Sequence, residues 1–292
     1  MIFSTLADGS KIPVIGYGTA YVEKSKVKEV LLHAIKVGYR HFDCAFIYAN
    51  QVEVGEALKE VFASGSVKRE DIWVTSKLWI TDFAPDQVEK ACRLSLAQLQ
   101  LEYVDEYLVH WPASQVGKHV SITETWKAME KLKQKGLVKH IGVSNFNVQL
   151  LNEIYNSAQI YKPEINQIET HPYLQQTRLV EFCRQLGVHV TAYCPVVRMG
   201  NGLTVDPLKD PILQKIASKH GKTIAQVILR WNFQRSPNVS VVPRTSTLDR
   251  ITENFGSQSF QLDDADMGEI KKLECNFRIN DGLEIIGTPV FD

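Results

Sequence analysis

Charge of one sign, long apolar runs and paired cysteines are all missing from this chain of 292 residues. Its 33 Lys and Arg balance 33 Asp and Glu, so the formal net charge is zero. No electrostatic partner such as nucleic acid or a membrane surface is therefore expected. There is no run of about 18 apolar residues, so no membrane span is expected. The opening MIFSTLADGSKIP has no basic stretch followed by a long apolar core, and a signal peptide is not expected either. The five cysteines are odd in number and form no C-x-x-C. They suit a reduced, cytoplasmic protein in which each thiol fills a small apolar space. Balanced charge with no exposed apolar stripe makes a monomer the default expectation.

What the sequence does have is alternation. Hydrophobic residues make up 44% of it. IFSTLA and KIPVIG flank Asp8-Gly9-Ser10, which predicts an opening hairpin. Strand-like stretches then begin at 14, 40, 71, 104, 138, 164, 188 and 239, and each is followed by a helical pattern. Helix signals reinforce this, including Gly38 after VKEVLLHAIKVG and Pro85 at the start of PDQVEKACRLSLAQL. No Pro/Gly/Ser-rich linker interrupts the series. Eight such units after a hairpin, with an extra C-terminal helix in DADMGEIKKLE, predict a (β/α)8 barrel occupying residues 1–292 as a single domain. The alternative is an open doubly wound sheet, which needs a glycine-rich phosphate turn after the first strand. Gly16-Tyr17-Gly18 is the one candidate and lacks the third glycine.

In a barrel the chemistry sits at the carboxyl ends of the strands. There the predicted strands carry Asp43, with Tyr48 five residues on, then Lys77, His110, Ser144-Asn145, Gln167 and Tyr193. Asp43, Tyr48, Lys77 and His110 form a coherent set. A buried aspartate needs a partner, and Lys77 is the candidate. A phenol titrates near 10, and a neighbouring ammonium is expected to lower that value. His110 can donate to a developing oxyanion. A proton donor beside an oxyanion donor suits carbonyl reduction. The plainer possibility for Asp43 and Lys77 is a structural ion pair. Two further readings are a non-enzymatic cofactor-sensing protein on the same scaffold and a metal-dependent hydrolase. For a metal, His110 and His171 are the candidates near the mouth, but there is no H-x-H and no helical H-x-x-x-H pair, so no metal is expected.

Seven stretches together resemble the aldo-keto reductase family: GYRHFDCAFIYANQVEVGEAL, DIWVTSKLW, YVDEYLVHWP, KGLVKHIGVSNF, INQIETHPYL, VTAYCPV and VVPRTSTLDRITENF. The resemblance runs from about Ile12 to the C-terminus. It implies an NADP(H)-dependent carbonyl reductase acting on a small-molecule substrate, with Tyr48 giving the proton, Lys77 and Asp43 assisting, and His110 orienting the substrate oxygen. It further implies that Thr19, Asp43, Ser144, Asn145, Gln167, Tyr193, Pro195 and Val196 meet the cofactor. Pro243-Arg244-Thr245 with Arg250, Glu253 and Asn254 would form its adenosine 2′-phosphate and adenine end. Two arginines around a helix start suit a phosphate on physical grounds as well.

The departures concern substrate. Arg244 stands where the family often has lysine, Cys194 where serine is frequent, and Ala20 where aldose reductases have a pocket tryptophan. ASQVGKHVS after Pro112 and the loop VVRMGNGLTV are short. A shallow, open pocket is expected, walled by Ala20, Ile47, Trp79, His110 and Trp111. The tail NFRINDGLEIIGTPVFD is expected to fold over it, bringing Arg278, Asn280 and Asp281 towards a polar substrate.

Overall fold

The structure, a computed structural model, describes residues 1–114, 120–197 and 205–291. Most of the two short loops noted above therefore lies outside the described residues. The chain opens with the predicted hairpin, β1 (Phe3–Thr5) against β2 (Lys11–Pro13), with Ser4 opposite Ile12. The Asp8 carboxylate accepts the Ser10 amide at 2.9 Å. Gly9 turns the chain at φ 90°, a conformation that costs glycine nothing. Leu6 and Ile12 meet Trp73, Leu108 and Ile165 in an apolar cluster, so the hairpin caps the amino-terminal end of the strands.

Eight parallel strands follow in sheet order: β3 (Tyr17–Gly18), β4 (His41–Asp43), β5 (Trp73–Leu78), β6 (Val104–Val109), β7 (Val138–Ser144), β8 (Ile165–Glu169), β9 (His189–Tyr193) and β10 (Val239–Val241). The sheet closes. Ile15 bridges Val241 in parallel, the Gly16 amide donates to the Val241 carbonyl at 2.8 Å, and the Gly18 amide to the Pro243 carbonyl at 3.0 Å. This is the predicted (β/α)8 barrel. Every residue of β5, β6 and β8 is buried, as expected for strands covered on both faces.

The helices are α1 (Lys24–Val37), α2 (Gln51–Ala63), α3 (Pro85–Leu99), α4 (Ile122–Gln134), α5 (Val148–Ser157), α6 (Thr177–Gln185), the pair α7 (Pro211–His220) and α8 (Ile224–Gln234), and α9 (Leu248–Phe255). α1 buries Val27, Val30, Leu31 and Ala34, the spacing of one helical face. Beyond the barrel come α10 (Asp264–Lys271), the extra helix expected, and α11 (Gly282–Ile286), a short helix that the sequence pattern does not announce. The glycine at its start and the single turn of apolar residues leave no periodicity to read.

One carboxylate in the barrel interior enters no ion pair among the described residues. Glu106 on β6 is fully buried. Its Oε2 accepts from Trp73 Nε1 at 2.9 Å and Thr75 Oγ1 at 3.1 Å, while Oε1 has no hydrogen-bond partner among the described residues. Burial pushes its carboxyl up to about 7, against the pull of those two donors. The unfolded chain therefore gives up this proton near the ordinary value of 4.5, while the folded chain keeps it to about 7. The pH-dependent cost of Glu106 is absent below that window and grows across it as pH rises, by ~1.4 kcal/mol per unit. Glu106→Gln does not titrate. Its stability relative to the parent, from urea denaturation, is expected to rise between pH 4.5 and 7 and level off above.

Candidate active site

Residues 43–48 show how local structure delivers a phenol to the mouth. Asp43 ends β4, and the Cys44 amide extends the pairing to the Thr75 carbonyl at 2.9 Å. Cys44 and Ala45 are fully buried. Phe46–Tyr48 then forms a 3-10 turn that ends on Ala49 at φ 56°. On β5 the register sets Thr75 beside Asp43, so Lys77, two residues further along, shares the face of Thr75 and lies closer to the mouth.

Lys77 is fully buried, and its ammonium makes three contacts: Asp43 Oδ1 at 2.6 Å, the Cys44 carbonyl at 2.9 Å and the Tyr48 hydroxyl at 3.3 Å. An ammonium has three donors and no acceptor. The Tyr48 oxygen must accept from it, which leaves the phenol proton for another partner. Asp43 Oδ1 also accepts from Gln167 Nε2 at 2.8 Å. His110 follows β6 with its ring edge-on to both Tyr48 (5.9 Å between centres) and Trp79 (5.2 Å). The four predicted residues therefore share one small space.

One expectation is corrected. Tyr48 titrates well above the ordinary phenol value, not below it. Burial is the main cause, with the Asp43 charge adding to it. The ammonium that was to favour the phenolate sits 0.7 Å closer to Asp43 than to Tyr48 (2.6 against 3.3 Å), and its charge is answered there. Burial first and the Lys77 charge second hold His110 well below its ordinary value. Phenol and imidazole are both neutral at pH 7.

A second group lines the rim formed by β7, β8 and β9. Ser144 Oγ donates to the Gln167 carbonyl at 2.9 Å. Asn145, at φ 66°, donates to the His110 carbonyl at 2.9 Å and accepts from the Tyr193 hydroxyl at 2.6 Å. Thr19 Oγ1 donates to the Asp43 carbonyl at 3.0 Å. Pro195 is buried and Val196 half-buried beyond Tyr193. At the far end Arg244 is exposed and donates to the Ala20 carbonyl at 2.8 Å. The Thr245 carbonyl accepts from Tyr17 at 2.7 Å. Arg250 on α9 is exposed and enters no ion pair among the described residues. Glu253 accepts from Thr223, the residue that caps the start of α8, at 2.8 Å, and Asn254 is buried.

Residues 14–274 match the model of the Aldo/keto reductase family. The chain belongs to that family. It is 41% identical to NADP-dependent D-sorbitol-6-phosphate dehydrogenase of Malus domestica, with 98% of each chain covered. It is 44% identical to aldose reductase B of Dictyostelium discoideum, over 96% of this chain and 95% of that one. Among solved structures, aldose reductase from Giardia lamblia superposes with a TM-score of 0.89 at 37% identity, over 96% of this chain and 98% of that one. Membership makes this aldo-keto reductase an oxidoreductase of the carbonyl–alcohol class.

Around the mouth of the reductase the substrate candidates separate. Trp79 stands beside His110, Ile47 is 44% exposed and Ala20 is half-buried. Trp111 is only 3% exposed and packs near Phe291, with ring centres 6.2 Å apart. In the tail, the Arg278 guanidinium lies 3.6 Å over the Phe291 ring, Asp281 caps α11 through the Leu283 amide, and Asn280 bonds Glu169. His171, weighed for a metal, binds Glu169 as well, at 3.0 Å. Asp8, His140 and Glu164 approach one another at the opposite end of the barrel. The Lys133 ammonium, 2.7 Å from Glu164, already provides a cation there.

Sequence reasoning did not find the Cys44 carbonyl, the Gln167–Asp43 bond or the role of Glu169. Only Glu169 leaves a trace in the sequence, as a carboxylate at the end of a strand, INQIE, that is buried along its whole length. Removing Asp43 strands a buried ammonium, so Asp43→Ala is expected to cost about 3–5 kcal/mol in urea denaturation, and Asp43→Ala with Lys77→Met markedly less.

Proposed function

We propose that this chain reduces small aldehydes and ketones to alcohols with NADPH, and that Tyr48 is the proton donor. The hydrogen-bond direction at Tyr48 carries the reading. Its oxygen accepts from Lys77, so its proton is available to a substrate oxygen placed between it and His110. Both groups are neutral, and each can donate to an oxygen that gains negative charge. Asp43 and Gln167 hold Lys77 in place, and the ammonium stabilises the phenolate left after proton transfer.

The residues present suit a nicotinamide dinucleotide lying along the rim from β9 to α9. Ser144, Asn145 and Gln167 offer amide and hydroxyl groups beside the Tyr193 ring, which would stack on the nicotinamide. Thr19, Pro195 and Val196 would flank it. Arg244 and Arg250, neither in an ion pair among the described residues, would hold the ribose phosphate, with Thr245 beside them and Asn254 at the adenine. The Glu253 carboxylate already accepts from the Thr223 hydroxyl, which turns it towards α8. When bound, the cofactor supplies a hydride equivalent to the carbonyl carbon. The protein supplies position, proton and oxyanion donors. Ala20, Ile47, Trp79 and Trp111 would line the carbonyl side. A cytoplasmic setting accords with five cysteines that form no disulfide among the described residues, three of them buried.

Tyr48→Phe is expected to lower kcat for NADPH-dependent reduction of an aromatic aldehyde by at least about 10²-fold while NADPH still binds. Wild-type turnover in that variant would sink the assignment. Because the phenol titrates well above 10, the donor stays protonated through neutral pH. Reduction should be flat between pH 6 and 9, and alcohol oxidation, which needs the phenolate, should climb with pH over the same range.

Arg244→Ala should raise KM for NADPH about tenfold, the scale of one charge-assisted contact, and leave KM for NADH nearly unchanged. Steady-state kinetics with both nucleotides side by side decides this. An NADH preference in the parent would overturn the phosphate site.

A further inference from the structure

The C-terminal segment is tied to the barrel through one carboxylate. Glu169, the last residue of β8, is fully buried. Its Oε1 accepts the Ile279 amide at 2.7 Å and His171 Nε2 at 3.0 Å. Its Oε2 accepts the Asn280 amide at 2.8 Å and Asn280 Nδ2 at 2.7 Å. A carboxylate has about four lone-pair positions, and these donors fill them. The Glu169 carbonyl accepts from Gln176 at 2.6 Å, which fixes the residue from the backbone as well. Burial pushes the carboxyl up, but the bonds from His171 and Asn280 outweigh it and hold the group below its usual range. The charge is present at neutral pH.

The neighbours of this seat are the site itself. Glu169 pairs in register with Tyr193 on β9. Asn280 Nδ2 also reaches Cys194 Sγ at 3.5 Å. On the other side of Asn280, Arg278 covers Phe291, and Phe291 lies by Trp111. Residues 278–291 thus run from the strand of Tyr193 to the wall beyond His110. Just upstream, the Phe277 amide donates to the Tyr173 carbonyl at 2.9 Å, so loosening at Glu169 would stay confined to residues 278–291.

We propose that Glu169 is a positioning residue that seats segment 278–291 as one wall of the substrate pocket. It sets the enzyme's grip on the carbonyl compound and not on the nucleotide. The proposal rests on the functional reading above. An amide at this position would turn an NH₂ against at least one of the four donors, leaving buried groups unpaired and the segment unseated.

The test is Glu169→Gln in the full chain, with three readouts. NADPH affinity, by fluorescence titration, should stay within about twofold, while KM for an aromatic aldehyde rises about tenfold and kcat changes less. Hydrogen exchange should quicken in residues 278–291 and nowhere else. Glu169→Asp, which keeps the charge on a shorter arm, should fall between the two. An unchanged KM, unchanged exchange in that segment, or an NADPH affinity that weakens as much as KM rises would each overturn the proposal. If the Gln variant does not fold, the unaltered protein decides: the Ile279 and Asn280 amides should be protected, and fast exchange there refutes the seat. Absence of any NADPH-dependent turnover in the parent would defeat the functional reading instead, while exchange at Ile279 and Asn280 would still judge the seat.

Discussion

The Lys77–Asp43 ion pair is the constraint around which the carboxyl end of the barrel is arranged. Both charges are buried, Lys77 completely and Asp43 nearly so. A buried ammonium is tolerable only when each donor is matched, and the matching groups come from separate places: a strand-end carboxylate, a carbonyl just past it and a phenol on the following turn. Gln167, three strands away from β5, supports the carboxylate from the opposite side. Aligning these partners sets the register at which β4, β5 and β8 end, and with it where a substrate oxygen can meet a proton.

Around this charged pair the site is neutral. Burial raises Tyr48 and lowers His110, so two uncharged donors face the space and one fixed charge lies behind them. That division suits a proton donor: the phenol keeps its proton until a substrate takes it, and the ammonium is near enough to steady the phenolate afterwards. A wider ring of hydrogen bonds keeps the geometry in place. Asn145 ties His110 to Tyr193, and Arg244 ties the region after β10 to Ala20.

Much of this was legible in the residues. Asp8-Gly9-Ser10 between apolar runs is a hairpin for reasons internal to four or five residues. Eight apolar strands alternating with helical patterns leave little choice but a closed barrel, and in a barrel the strand ends must share a mouth. What eluded the sequence was partner choice. Glu253 stands one turn from Arg250 yet bonds Thr223, because α8 packs there. The Tyr48 shift had the wrong expected sign because the effect of Lys77 depends on who else is near the ammonium and on how dry the phenol is.

The sequence by itself determined the order of elements, the barrel, and the set of polar side chains at its mouth, since periodicity and turn chemistry act over a few neighbouring residues. Tertiary structure alone decided the bonds across the barrel. Gln167 meets Asp43 from 124 positions away, and Asn280 meets Glu169 from 111. No local propensity encodes such pairs. They form because closing the barrel leaves buried charges and amides whose cost only those distant partners relieve.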